Sequence, residues 1–195
     1  MCGRTAVIPW AGDMIRNGDV LSTSRKMRIE RTTNGDLTHV EGIYQEARAY
    51  QFQQSGYGWP IFERSFIMGE ILEKRHYKII DEKGQMVAVF STVNTEPVIW
   101  DDSHGTEAIY LHRMAVRGAY RGQNIVGKIL DWAMAKARME GKKYIRVDTW
   151  ANNRALTDYY QRLGFKWMGK RKLPPKSELP PHYHGIEVNV FEIKV

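Results

Sequence analysis

The stretch Ile109-Tyr-Leu-His-Arg-Met-Ala-Val-Arg-Gly-Ala-Tyr-Arg-Gly-Gln-Asn-Ile-Val126 decides how this chain is read, because an apolar strand runs into a basic, glycine-bearing turn and then straight into a helix. That layout builds an anion site. Backbone N–H groups left free in the first turn of a helix point outward, the helix dipole adds partial positive charge, and Gly118 and Gly122 let the backbone approach closely. A pyrophosphate suits such a site.

The helix is predicted from Ile125/Val126, Ile129/Leu130, Ala133 and Ala137, which recur at three- and four-residue spacing with Lys128, Asp131, Lys136 and Arg138 between them. Gly141 is its expected stop. Tyr144 to Thr149 is rich in β-formers; Asn152/Asn153 are the expected N-caps of a helix carrying Leu156, Tyr159/Tyr160 and Leu163, and Gly164 ends it. The order is strand, anion turn, helix, strand, helix.

Two blocks carry a family resemblance. Arg121-Gly-Gln-Asn-Ile-Val126 resembles the Gln/Arg-x-x-Gly-x-Gly/Ala acetyl-CoA loop of the GNAT superfamily of N-acetyltransferases, with Asn124 and Val126 standing where that loop has glycine and glycine or alanine. Asn153-x-x-Leu-x-x-Tyr-Tyr160-x-x-Leu-Gly-Phe165 resembles the superfamily's Asn-x-x-Ala-x-x-Leu-Tyr-x-x-x-Gly-Phe segment, in the same order and spacing. The resemblance is carried by about residues 107–170; over 26–100 only the order of elements agrees. It implies an α/β fold with a mixed, mostly antiparallel central sheet and helices on both faces. It also implies that the fourth and fifth strands, here roughly 107–116 and 144–149, splay apart to admit the pantetheine arm of acetyl-CoA.

On that resemblance, Arg121, Gly122, Gln123, Asn124, Ile125, Val126 and Gly127 hold the pyrophosphate, and Lys128 reaches an outer phosphate. The strand edge at Met114, Ala115 and Val116 and the side chain of Asn153 bond the pantetheine arm, Asn153 capping its helix as the other reading. Tyr160 takes the general acid's position and contributes to the cofactor site. A phenol, with an ordinary pKa of about 10, keeps its proton at neutral pH and can give it to a leaving thiolate. Read by itself, Tyr160 is a core aromatic like Tyr159 beside it. A bare basic helix N-terminus at Arg121 is disfavoured, since positive charge there opposes the dipole unless an anion is bound.

The 195 residues suit one compact domain, and a hydrophobic content of 43% argues against disorder. The reading divides them into an N-terminal extension, 1–25, packed on the domain or on a neighbouring subunit of a homodimer, and a single domain, 26–195. A net charge of +7 attracts polyanions, but the basic residues are scattered and form no RNP, zinc-finger or basic-zipper pattern, so no nucleic-acid partner is expected. No apolar run is long enough to span a bilayer; the expectation is a soluble, cytoplasmic protein with no membrane partner. A single Cys2 permits no internal disulfide, and no Cys/His cluster has metal-site spacing.

Between the extension and the deciding stretch, a strand is predicted near Lys26 to Thr32, a helix from Asp36 to about Gln53, and a break at Gly56-Tyr-Gly-Trp-Pro60. A second helix carries Ile61, Phe62, Phe66, Ile67, Ile71 and Leu72, and the strands His76 to Ile80 and Met86 to Val93 are joined at Glu82-Lys-Gly84. Lys166 to Leu173 and Ile186 to Val195 are the closing strands.

The activity this implies is acetyl transfer from acetyl-CoA to a primary amine of a small molecule or a protein, with backbone N–H near Val116 polarising the thioester carbonyl. The alternative is a catalytically silent acyl-CoA-binding or sensing module. A protonated amine needs a proton acceptor; His112, His182, His184, Asp101, Asp102, Glu107 and Asp148 are the candidates, each with an ordinary reading beside it as a hydrogen-bonded strand histidine, a solvated loop or an acidic turn. Asp101, Asp102 and Glu107 are expected to meet the Pro180–His184 loop around a cationic amine, and Tyr50, Tyr57 and Trp59 to wall an acceptor pocket or to serve as core.

Overall fold

The computed structural model describes residues 27–56, 58–100 and 107–195. The N-terminal extension, Cys2, Lys26, Tyr57, Asp101 and Asp102 lie outside the described residues. The described chain forms two compact units. One holds the residues up to Ser91 together with Arg113–Ile125; the other holds Thr92–His112 and Val126–Val195.

In the first unit, strands β1 (Arg28–Arg31), β2 (His76–Ile80) and the greater part of β3 (Met86–Val93) pair antiparallel, Arg28 facing Ile80 and His76 facing Ser91. Helix α1 (Leu37–Ser55) follows a 3-10 turn at Asn34–Asp36. The Asp36 carboxylate accepts both the backbone N–H and the hydroxyl of Thr33, at 2.8 and 2.7 Å, and so fixes the turn that enters the helix. Leu37, Val40, Ile43, Tyr44 and Ala47 recur every three or four residues and pack with Ile67 and Ile71 of α2 (Arg64–Leu72) and with Ile80, Met86, Val89 and Ala115. Gly56, with φ 72°, closes α1 where the sequence marked the break. Helix α2 begins later than its apolar pattern suggests. Ile61 and Phe62 precede it, Glu63 is extended, and Phe62 packs against the α1–α2 core instead of opening a helical face.

Beneath that core, Glu70 is fully buried and ion-pairs with both Arg75 and Arg113. Arg113 also donates to Ser91 Oγ at 2.6 Å, and its guanidinium lies 4.9 Å from the Phe66 ring centroid and 5.7 Å from that of Phe62. Its backbone, with φ 50°, is left-handed inside strand β4 (Ala108–Val116). Such a conformation in a long side-chain residue costs about 1–3 kcal/mol, and the buried ion pairs hold it in place.

In the second unit, Ala108–Tyr110 of β4 pairs parallel with Tyr144–Arg146 of β5 (Tyr144–Trp150), and the paired stretch ends there. Parallel strands need a crossover. Helix α4 (Ile125–Met139) supplies it and stops at Gly141, φ 66°. All seven residues of β5 pair antiparallel with β7 (Glu187–Lys194), which in turn pairs with β6 (Lys166–Lys172). Strand order is β1-β2-β3-β4-β5-β7-β6, a mixed, mostly antiparallel sheet as the resemblance implied. A one-turn helix, α3 (Pro97–Trp100), was not anticipated; its Ile99 packs with Leu173, Val188 and Val190.

Buried His76 makes the first unit's stability depend on pH. Its Nε2 lies 3.0 Å from the Tyr44 hydroxyl and its Nδ1 2.8 Å from Thr32 Oγ1. Burial pushes its pKa from 6.5 down to about 4; the Glu70 carboxylate opposes this and the Arg113 and Arg75 charges add to it. The folded chain therefore keeps His76 neutral while the unfolded chain takes up a proton below pH 6.5. The associated stability, about 3 kcal/mol, is present above pH 6.5 and is lost as pH falls towards 4. Denaturant titrations across that window should show wild-type stability falling more steeply than that of His76→Gln, whose amide does not titrate. Parallel curves would remove His76 from the account.

Candidate active site

Loop 117–124 is fastened at several points within the first unit. Arg117 donates its backbone N–H to Val87 O at 2.9 Å and its Nε to Met86 O at 2.8 Å. Gly118–Tyr120 forms a 3-10 turn, and the Tyr120 hydroxyl donates to Asp81 Oδ2 at 2.7 Å. That bond, reinforced by the Gln85 and Lys83 backbone N–H groups, outweighs burial and holds the Asp81 carboxyl below its ordinary range. From α1, the Glu46 carboxylate accepts the Gly118 N–H, and Tyr50, one turn on, lies flat under Arg121 with the guanidinium 3.6 Å from the ring centroid. Sequence reasoning left Tyr50 as an acceptor-pocket wall or a core residue; its ring lies against Arg121 of the basic loop. Trp59 is core, edge-on to Tyr44 at 6.2 Å.

The loop's backbone explains its departure from the family pattern. Gly122 has φ 78° and Asn124 has φ 53°, both left-handed. Asparagine enters that region more readily than other non-glycine residues, so Asn124 fills a glycine position with little strain. Gln123 donates to Ala119 O at 3.0 Å, and Ile125 then opens α4. Ile125 and Val126 are buried, so the bulk of Val126 goes into the core. Gly127 and Lys128 complete the helix's first turn, whose N–H groups lack intrahelical partners. Among the described residues Arg121 Nη2 is buried with no hydrogen-bond partner, on a guanidinium held over its aromatic platform. Met114, Ala115 and Val116 end β4 just before this loop, Ala115 packed in the core.

The second unit holds the other predicted residues. Asn153 Oδ1 accepts the Leu156 N–H at 3.0 Å and so caps α5 (Arg154–Arg162), and Gly164, φ 93°, closes it. Tyr160 is buried, its ring 5.4 Å from Phe191, 5.5 Å from Phe165 and 5.8 Å from Tyr159. Burial, reinforced by Tyr159 and the Asp148 charge, pushes its phenol well above the ordinary value, so it is protonated at neutral pH.

Of the proton acceptors left open by the sequence, two come together. Where the β4–β5 pairing ends, His112 Nδ1 lies 3.8 Å from Asp148 Oδ1, and His112 Nε2 lies 3.2 Å from Glu96 Oε2. The Tyr183 hydroxyl donates to Asp148 Oδ2 at 3.2 Å, bringing the Pro180–His184 loop to this point. Glu96 and Tyr183 were missed, since no local spacing links them to His112. The other candidates sit elsewhere. Glu107 is exposed and paired with Lys143, His184 Nε2 lies 2.9 Å from Leu179 O, and the His182 ring packs on Tyr183. Of the acidic residues expected to meet the closing loop, Asp101 and Asp102 lie outside the described residues and Glu107 pairs with Lys143; the carboxylate that this loop contacts is that of Asp148. Among the described residues, no group of three or more His, Cys, Asp or Glu is arranged to hold a metal ion, and no helix is long and apolar enough to cross a membrane.

The pattern that defines the acetyltransferase (GNAT) family matches residues 40–165. The chain belongs to that family. A GNAT relative, the uncharacterized N-acetyltransferase YesJ of Bacillus subtilis, is 31% identical over 102 residues, 50% of this chain and 57% of that protein. The match therefore spans little more than half of the relative's length. A GNAT-family acetyltransferase from Listeria monocytogenes has the same fold, with TM-score 0.70, 18% identity and coverage of 90% of this chain and 99% of that one. The Salmonella typhimurium acetyltransferase that modifies the N-terminal serine of ribosomal protein L7/L12 matches with TM-score 0.63 and 18% identity, covering 89% of this chain and 96% of that one.

The left-handed backbone at Asn124 predicts a specific tolerance. Asn124→Gly should stay within about 1 kcal/mol of wild type, whereas Asn124→Val, β-branched at positive φ, should lose about 1–3 kcal/mol in chemical denaturation. Equal stability of the two variants would contradict the conformation assigned to the loop.

Proposed function

We propose that this GNAT-family chain transfers an acetyl group from acetyl-CoA directly to a primary amine. The observation that carries this reading is the fastened β4–α4 loop. It presents Arg121 with a buried Nη2 that has no hydrogen-bond partner among the described residues, and two left-handed residues ahead of a helix N-terminus. These groups suit a pyrophosphate. Arg121, Gly122, Gln123, Asn124, Ile125, Val126 and Gly127 would bind it, with Met114, Ala115 and Val116 offering backbone groups to the pantetheine amides and Asn153 contributing from the start of α5. Acetyl-CoA supplies the activated acetyl thioester.

In this reading Tyr160 holds the proton that the leaving thiolate requires, and its burial keeps that proton in place at neutral pH. A backbone N–H near Val116 polarises the thioester carbonyl. The acceptor is a primary amine of a small molecule or of a protein. A silent acyl-CoA-binding module was suggested by the departures at Asn124 and Val126; the left-handed backbone of Asn124 and the core packing of Val126 suit a cofactor loop in either reading, and turnover separates the two.

Tyr160→Phe keeps the ring's packing and removes the donor. Steady-state assays should show kcat lowered about 10²- to 10⁴-fold with acetyl-CoA Kd nearly unchanged, while Tyr159→Phe stays close to wild type. Near-normal turnover in both variants would take the acid's role away from Tyr160.

A further inference from the structure

Resting on the acetyltransferase reading above, we propose that Glu96, His112 and Asp148 form a proton relay that takes the proton an acceptor ammonium must shed before it attacks. The His112 side chain is nine-tenths buried and set between two carboxylates, Glu96 Oε2 at 3.2 Å from Nε2 and Asp148 Oδ1 at 3.8 Å from Nδ1. Nε2 is close to Glu96, out of hydrogen-bonding alignment in the resting arrangement, and has no hydrogen-bond partner among the described residues. One carboxylate would be enough to orient the ring. The second adds negative charge that a cationic amine can seek and that a proton resting on the imidazole can face.

Position supports the same role. His112 and Asp148 stand one side-chain step beyond Tyr110↔Arg146, the last pair joining β4 to β5, so the backbone at this point is not closed by the ladder. The preceding row is already neutralised. Arg146 donates to Glu192 and to the Tyr110 hydroxyl, each at 2.8 Å, and stacks on Trp100 at 4.6 Å. Arg146 is therefore committed to other partners, and Tyr183, from the closing loop, steadies Asp148. Tyr160 also feels the Asp148 charge. Of the three relay side chains Glu96 is the most exposed, at 13% against 9% for His112 and 6% for Asp148, so Glu96 is the one that meets the amine.

The step conserves atoms and electrons. An N–H bond of R–NH3⁺ breaks as an O–H bond forms on Glu96; that proton passes to His112 Nε2, leaving R–NH2 with its lone pair and Glu96 again a carboxylate. The imidazolium lies between Glu96 and Asp148 and returns its proton to water after turnover. The proton for the thiolate comes separately from Tyr160.

The test compares wild type with Glu96→Gln, His112→Gln and Asp148→Asn, using a panel of spermidine, benzylamine, lysine amide and an alanine-initiated peptide as acceptors. Acetyl-CoA Kd and Tm serve as controls. At pH 7, Glu96→Gln and His112→Gln should lower kcat/KM for the best acceptor about 10²-fold with acetyl-CoA Kd unchanged. The deficit should shrink as pH rises towards that of the amine's own deprotonation, where the nucleophile arrives already neutral. A deficit equal at every pH, or none, overturns the relay and leaves His112 as packing. Independently of turnover, equilibrium binding of spermidine should weaken about tenfold in Glu96→Gln, which loses the carboxylate that meets the amine; unchanged spermidine binding also overturns it. A wild-type chain that binds acetyl-CoA and turns over no amine would sink the acetyltransferase reading, while spermidine binding to Glu96→Gln would still decide whether the relay's first carboxylate meets the amine.

Discussion

A carboxylate that water cannot reach sets the central constraint. Glu70 is fully buried and faces two guanidiniums, Arg75 and Arg113. Deleting one partner of such a set typically costs about 3–5 kcal/mol, because a charge is then left buried and uncompensated. Arg113 is also the residue at which β4 turns left-handed, and it separates the strand's two tasks. Ala108–His112 belongs to the second unit and ends in the imidazole of His112, whereas Arg113–Val116 belongs to the first and runs into the basic loop. The ion pairs thus hold a costly backbone conformation at the junction of two pieces of chemistry.

Much of this was legible in the sequence, and the legible parts share a cause. Gly56, Gly141 and Gly164 mark helix ends because their positive φ is hard for other residues, and Asn153 marks a helix start because its side chain replaces a missing backbone acceptor. These are one-residue signals with local physics. The β2–β3 hairpin at Glu82-Lys-Gly84 and the β-former-rich strand β5 were readable from equally local patterns. Asn124 was visible as a departure, but only the backbone shows that it keeps glycine's conformation.

The rest was hidden because it depends on pairing across the chain. Arg113 sits in an apolar run, and nothing nearby announces Glu70, forty-three residues earlier in the chain. Tyr50 was open to a pocket wall or to core until α1 placed it beneath Arg121, and no local pattern marks Glu46 as the acceptor of the Gly118 N–H. Glu96 precedes a one-turn helix too short to have a periodicity, and its partner His112 lies in the next strand. Strand register, which sequence pattern does not carry, brings His112 to Asp148: the Tyr110↔Arg146 pair puts them in the next positions on one face.

The central claim is that the loop from Arg117 to Gly127 is an anion site built to receive acetyl-CoA. Amide hydrogen exchange, read residue by residue with and without saturating acetyl-CoA, tests it most directly. Backbone N–H groups from Gly122 to Gly127 should become protected on binding, with protection also at Met114–Val116 and little change at β1 or β6. Unaltered exchange across Gly122–Gly127 at millimolar acetyl-CoA would contradict the account.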